Sequence, residues 1–90
     1  MKLAVKKNID LKEFEKYGFE KLEDNYRGHK YSWKEDKGNW FYEIYINRDN
    51  YIHIRIECLE GSKYILLASK LQCKLYQLIK DDLVEVVENE

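Results

Sequence analysis

The chain has no proline, two cysteines, four glycines and almost no net charge, −1 over 90 residues. Each shortage excludes something. Two cysteines cannot build a disulfide scaffold, and Cys58 and Cys73 fit a reducing compartment. The four glycines stand singly at turns, so no glycine-rich phosphate loop is present. A balanced charge lacks the positive excess that gives generic phosphate affinity. No run approaches the ~18 apolar residues of a membrane span, and the first residues, MKLAVKKNID, lack the apolar core of a signal peptide. A cytoplasmic, soluble protein is the expectation. The missing proline, beside abundant Lys, Ile, Asn and Tyr, follows AT-rich codons and points to a low-GC genome rather than to a function.

What is present is an ordinary globular composition: 44% hydrophobic, 14% aromatic and 37% charged residues. Residues 1–90 suit a single domain with a thin core, burying roughly 60–65% of its unfolded surface. No repeat, linker or low-complexity segment interrupts it.

The most informative stretch is WFYEIYINRDNYIHIRIE, Trp40 to Glu57. Alternate residues give a core set of Trp40, Tyr42, Ile44, Ile46, Ile52, Ile54 and Ile56. The opposite set is Phe41, Glu43, Tyr45, Asn47, Tyr51, His53, Arg55 and Glu57. Opposed residues of an antiparallel pair share a face. A two-residue loop would turn one core set outward; the three-residue loop Arg48-Asp49-Asn50 keeps both together, with Asn50 left-handed. That register pairs Ile46 with Ile52, Ile44 with Ile54 and Tyr42 with Ile56. It also sets Glu43 opposite Arg55, as a cross-strand ion pair, and Tyr45 opposite His53.

Around this hairpin the pattern predicts an N-terminal helix from Asp10 to Gly18, with Asp10 and Glu13 as a capping box. Strands follow at Phe19–Glu23 and His29–Glu35, with a turn near Asp24, Asn25 and Gly28 and another at Asp36-Lys37-Gly38-Asn39. A long helix over residues 62–82 buries Tyr64, Leu67, Ala68, Leu71, Leu75, Leu78 and Ile79 within an arc of about 120°. Met1–Ile9 reads as a short strand. Leu83–Val87 is a strand paired with Leu3–Val5 or a frayed helical extension. The expected fold is α+β with two layers: an antiparallel four-stranded meander, flanked by a short N-terminal helix and a long C-terminal one, both on the isoleucine face, with short terminal strands in addition.

The opposite face then supplies the first candidate interaction site: Phe41, Tyr45, Tyr51, His53 and Arg55. Exposed aromatics beside arginine bind proteins or stack single-stranded bases. Tyrosine is also simply a good strand former on a half-exposed face. The segment Lys37–Tyr42 resembles an RNA-recognition signature only in part, departing from it at Trp40 and Glu43. Arg48 would assist in a nucleic-acid reading. The second candidate is a patch of Leu66, Cys73 and Tyr76 on the outer side of the long helix, suited to self-association or a protein partner. Cys58 continues the core series as a small hydrophobe. His53 with Glu57 could do acid–base work, but the spacing matches no zinc motif and nothing places His29 beside it. No catalytic residue, metal or cofactor is expected.

The segments NIDLKEFEKYGFEK, IYINRDNYIHIRI and LYQLIKDDLVEVVE together resemble small uncharacterised proteins encoded in phages and prophages of low-GC bacteria. That resemblance implies a host-cell cytoplasmic setting and an accessory role, says nothing about mechanism, and assigns no functional residue.

Overall fold

In a computed structural model, residues 2–23, 28–58 and 61–87 are described, with side chains given for all of these except 61–64. Six strands form one antiparallel sheet: β1 (Lys2–Val5), β2 (Glu20–Lys21), β3 (His29–Asp36), β4 (Trp40–Asn47), β5 (Tyr51–Cys58) and β6 (Val84–Val87), in the order β2-β3-β4-β5-β1-β6. A 3-10 helix spans Leu11–Tyr17, and one α-helix, α1, spans Gly61–Lys80. The α+β meander is there as β2 to β5, but the terminal strands make the sheet six-stranded.

The hairpin register follows parity throughout. Ile46 opposes Ile52, Ile44 opposes Ile54, Tyr42 opposes Ile56, Glu43 opposes Arg55 and Tyr45 opposes His53. Asn50 takes φ 65°, the left-handed residue of the loop. The apolar side of this pair is the core: Phe14, Ile44, Ile46, Leu71 and Leu78 are its fully buried side chains, joined by Phe19, Tyr31, Tyr42, Ile52 and Leu67. Ile54 departs from the expected core set, being 47% exposed. The short strand β1 pairs with β5 only at Tyr51 and Ile52.

The N-terminal helix forms as a 3-10 turn rather than an α-helix. Asp10 caps it, accepting from the Lys12 N–H at 3.0 Å, and Gly18 ends it at φ 91°. Glu13 bonds Lys16 at 3.1 Å, so the reciprocal half of the capping box is given up. The first meander strand is only Glu20–Lys21, with Phe19 already in the core.

At the other end, α1 stops in a Schellman arrangement. Leu83 N–H reaches Leu78 O and Asp82 N–H reaches Ile79 O, both at 3.0 Å, with Asp82 at φ 68°. Lys6 forms an ion pair with the Asp82 carboxylate. The turn sends the chain back into the sheet, where Leu3 opposes Val86 and Val5 opposes Val84. Leu83–Val87 is therefore strand, not helix. Within α1, Leu67, Leu71 and Leu78 are buried and Leu75 packs against them, whereas Ile79 faces out. The buried arc is narrower than the sequence stripe and ends at Leu78. Tyr64 lies among the residues whose side chains are not described, and Asp24 and Asn25 lie outside the described residues.

Candidate interaction surfaces

Both helices pack on the isoleucine face, which leaves the opposite face of the sheet without a helix among the described residues. The five residues expected there do share it. Their surroundings differ from the sequence expectation in two ways.

First, both histidines of the chain meet at Tyr45. A β-bulge between His29 and Tyr31 shifts the β3–β4 register, so His29 opposes Asn47 while Tyr31 opposes Ile46. Without the bulge, His29 would share the core-side parity of Tyr31 and Trp33. With it, the His29 ring stacks on Tyr45, centroids 3.6 Å apart and 18° from parallel. His53 stacks on Tyr45 as well, at 5.1 Å and 20°. A shallow cleft of about 270 Å³ runs along the three rings, with Arg48 and Asn47 at its border.

Second, the expected Glu43–Arg55 ion pair is replaced. The two residues stand opposite one another, but Glu43 is buried and accepts from the Ser32 hydroxyl at 2.7 Å, with His29 Nδ1 at 4.0 Å. Arg55 instead pairs with Glu57 at 3.1 Å and lies over the Phe41 ring, 4.9 Å from its centroid. Lys2 sits over Tyr51 in the same manner, at 4.7 Å. Each aromatic of this face thus has a neighbour on its ring: Tyr45 a histidine on two strands, Phe41 a guanidinium, Tyr51 an ammonium. Base stacking needs free ring faces, and here Tyr45 has a ring contact from each histidine while Phe41 and Tyr51 each have a cation over the ring.

The second candidate, on α1, is open. Leu66 is 58% exposed and Tyr76 67%, and Cys73 lies between them at helical spacing. Ile65, at 74%, and Ile79 add apolar surface on the solvent side of the helix. Next to this patch lies a groove of about 500 Å³ between α1 and strands β3 and β4. Trp33 and Tyr42 form its floor, their ring centroids 5.2 Å apart. Cys73, Tyr76, Gln77 and three lysines, Lys70, Lys74 and Lys80, form its wall. Cys73 and Tyr76 therefore belong to a concave site that periodicity alone could not show, because its floor comes from strands distant in sequence. Trp40 stacks on Tyr42 at 5.8 Å.

The groove wall is tethered at one point. Lys74 Nζ donates to the Tyr17 carbonyl at 3.0 Å and to Gln77 Oε1 at 3.3 Å, and lies 5.0 Å from the Trp33 ring centroid. The Tyr17 hydroxyl donates to Asp81 Oδ2 at 2.6 Å, a bond that holds the phenol in its neutral form and raises its pKa. Tyr42 is held neutral more strongly: burial first, then its hydrogen bond to Glu35 at 2.9 Å, push it up to about 12.

Cys58 is half-buried against the core and Cys73 is exposed, and the two form no disulfide. Among the described residues no cluster of histidine, cysteine and carboxylate side chains has metal-binding geometry. No helix among them is long and apolar enough to cross a membrane. Comparison of the chain with protein-family models, curated proteins and solved structures returns no match.

Proposed function

We propose that this chain is a non-enzymatic protein-interaction module that meets its partner through the outer side of α1 and the groove beside it. The observation that carries this reading is the pair Leu66 and Tyr76, both more than half exposed on a helix whose other side is fully packed. Leaving large apolar side chains in water forgoes about 25 cal/mol for every Å² that burial would remove. A contiguous apolar surface beside a concave aromatic floor has the make-up of a protein-binding site. A phage or prophage setting, with a host or phage protein as partner, agrees with it.

Single-stranded nucleic acid on the opposite sheet face is the weaker reading. Its stacking platforms would have to leave the His29–Tyr45–His53 column and the Arg55–Phe41 contact before taking a base.

The test is site-specific photo-cross-linking in the source cells, with a benzophenone side chain at position 76 or at position 45. Adducts with a defined protein from position 76 and none from position 45 are expected. Adducts from position 45 alone would move the site to the sheet, and adducts from neither would end the protein-binding reading.

A further inference from the structure

We infer that the groove between α1 and strands β3–β4 takes an acidic peptide segment anchored by one apolar or aromatic side chain, an inference that rests on the protein-binding role of α1.

The charge pattern of the helix is the first ground. Residues 61–80 contain Lys63, Lys70, Lys74 and Lys80 and no aspartate or glutamate, in a chain whose net charge is −1. The helix therefore carries a net +4 and the remainder of the chain −5, because every acidic residue lies outside this element. Surface helices usually intersperse the two signs, since pairs three or four residues apart stabilise them. Here α1 forgoes such pairs.

The second ground is what surrounds those lysines. Lys74 is engaged by Tyr17, Gln77 and Trp33. Lys70 and Lys80 are exposed on the groove wall, and among the described residues no carboxylate stands within ion-pair distance of either. Among the described residues no acidic side chain lines the groove. Glu35, whose carboxylate accepts from the Tyr42 hydroxyl, is also paired with Lys37 at 3.7 Å.

The third ground is shape and chemistry. The floor is the Trp33–Tyr42 pair, an apolar surface of two aromatic rings, and Tyr76 borders it. A buried apolar anchor at the centre with complementary charges at the rim is the usual division of labour in a peptide-binding groove. The two free lysines at the rim select carboxylates flanking the anchor.

The experiment is an unbiased selection of a random peptide library against the full chain at low salt. NMR then maps each enriched peptide, using the Trp33 indole N–H and the amides of residues 70–80. Enriched peptides are expected to carry Asp or Glu on both sides of a large apolar residue and to shift the Trp33 indole. The charge-reversal variant Lys70→Glu/Lys80→Glu is expected to weaken them at least about tenfold. Both positions are exposed, so the variant folds; Lys74 is left untouched because it ties α1 to the 3-10 helix.

Enriched peptides that reach the groove without an acidic bias, or that ignore the charge reversal, overturn the partner chemistry and leave α1 as a protein-binding surface. Failure of every peptide to move Trp33 or Tyr76 overturns both. A single-stranded oligonucleotide or a phosphatidylglycerol vesicle that moves the same signals more tightly than any peptide overturns the proposal in favour of that other anion.

Discussion

Asn47 holds His53 through its amide nitrogen, Nδ2 to Nε2 at 3.0 Å, while its amide oxygen accepts from the backbone N–H of Asp49 and of Tyr51, at 2.9 Å each. The two backbone donors settle which end of the amide is oxygen. The nitrogen must then donate, and His53 Nε2 must accept. The start of the hairpin loop thereby selects the tautomer of a ring six residues further along the chain, the one carrying its proton on Nδ1. Long-range ¹⁵N correlation spectra of the neutral His53 ring are expected to show the Nδ1–H form. In Asn47→Asp the donor is lost and the Nε2–H form should take over. An Nε2–H signal in the unmodified chain would contradict the arrangement.

The register places Glu43 opposite Arg55, yet each has another partner. A double-mutant cycle on Glu43 and Arg55 is expected to give a coupling near zero. The same cycle on Arg55 and Glu57, a partly exposed pair, should give about 0.2–1 kcal/mol. Glu43→Ala alone should cost about 1–3 kcal/mol in denaturant unfolding, since it removes a buried acceptor from Ser32. A large Glu43–Arg55 coupling would restore the ion pair that parity suggests.

Two neighbouring residues of α1 should behave oppositely. Leu78 is fully buried and Ile79 is turned outward. Leu78→Ala is expected to lose about 2–5 kcal/mol of unfolding free energy. Ile79→Ala should change it by less than about 0.5 kcal/mol. Equal losses at both positions would mean that the outer face of the helix is packed rather than free.

Tyr42 gives the molecule a sensitivity to alkali. Its hydroxyl is pushed up to about 12 in the folded chain, against an ordinary value of 10.0. The folded state thus keeps its phenolic proton where the unfolded state has lost it. The stability contributed is complete below pH 10 and is lost as pH rises from there through about 12. Unfolding curves followed across that range should show the decline, and Tyr42→Phe should flatten it. An unchanged pH slope in the variant would assign the decline to other tyrosines, of which Tyr17 and Tyr31 are also raised.

Gly28 sits at φ 81° just ahead of the bulge that turns His29 outward. A Cβ there would meet only the Arg48 side chain at ordinary contact distance, so the cost of Gly28→Ala is backbone strain, about 1–2 kcal/mol. If the bulge depends on that conformation, the upfield ring-current shift of the His29 protons over Tyr45 should diminish in the variant. A variant of full stability with the shift intact would show that the bulge is set by the strand pairing alone.

Local sequence was sufficient for the central hairpin. Its two core sets share a parity, the loop between them admits one length that preserves it, and Asn tolerates the left-handed position; these are nearest-neighbour constraints, and the register follows from them. The capping of the 3-10 helix by Asp10 and Gly18 is legible for the same reason. So is the exposure of Leu66, Cys73 and Tyr76, which helical spacing puts away from Leu67 and Leu71. The tertiary structure decided what depends on partners distant in the chain. Ile54 has the parity of the core yet is left half open, because burial depends on what packs over the strand and not on alternation along it. His29 joins Tyr45 because one extra residue in β3 reverses its side, and a bulge has no signature in alternation. Glu43 turns from Arg55 to Ser32 because β3 brings a hydroxyl within 2.7 Å on the dry side of the pair. The groove exists only where Trp33 and Tyr42, on two strands, come to lie beneath the lysines of a helix some thirty residues on. Periodicity records which side of its own element a residue faces; only the packing of elements decides what it meets there.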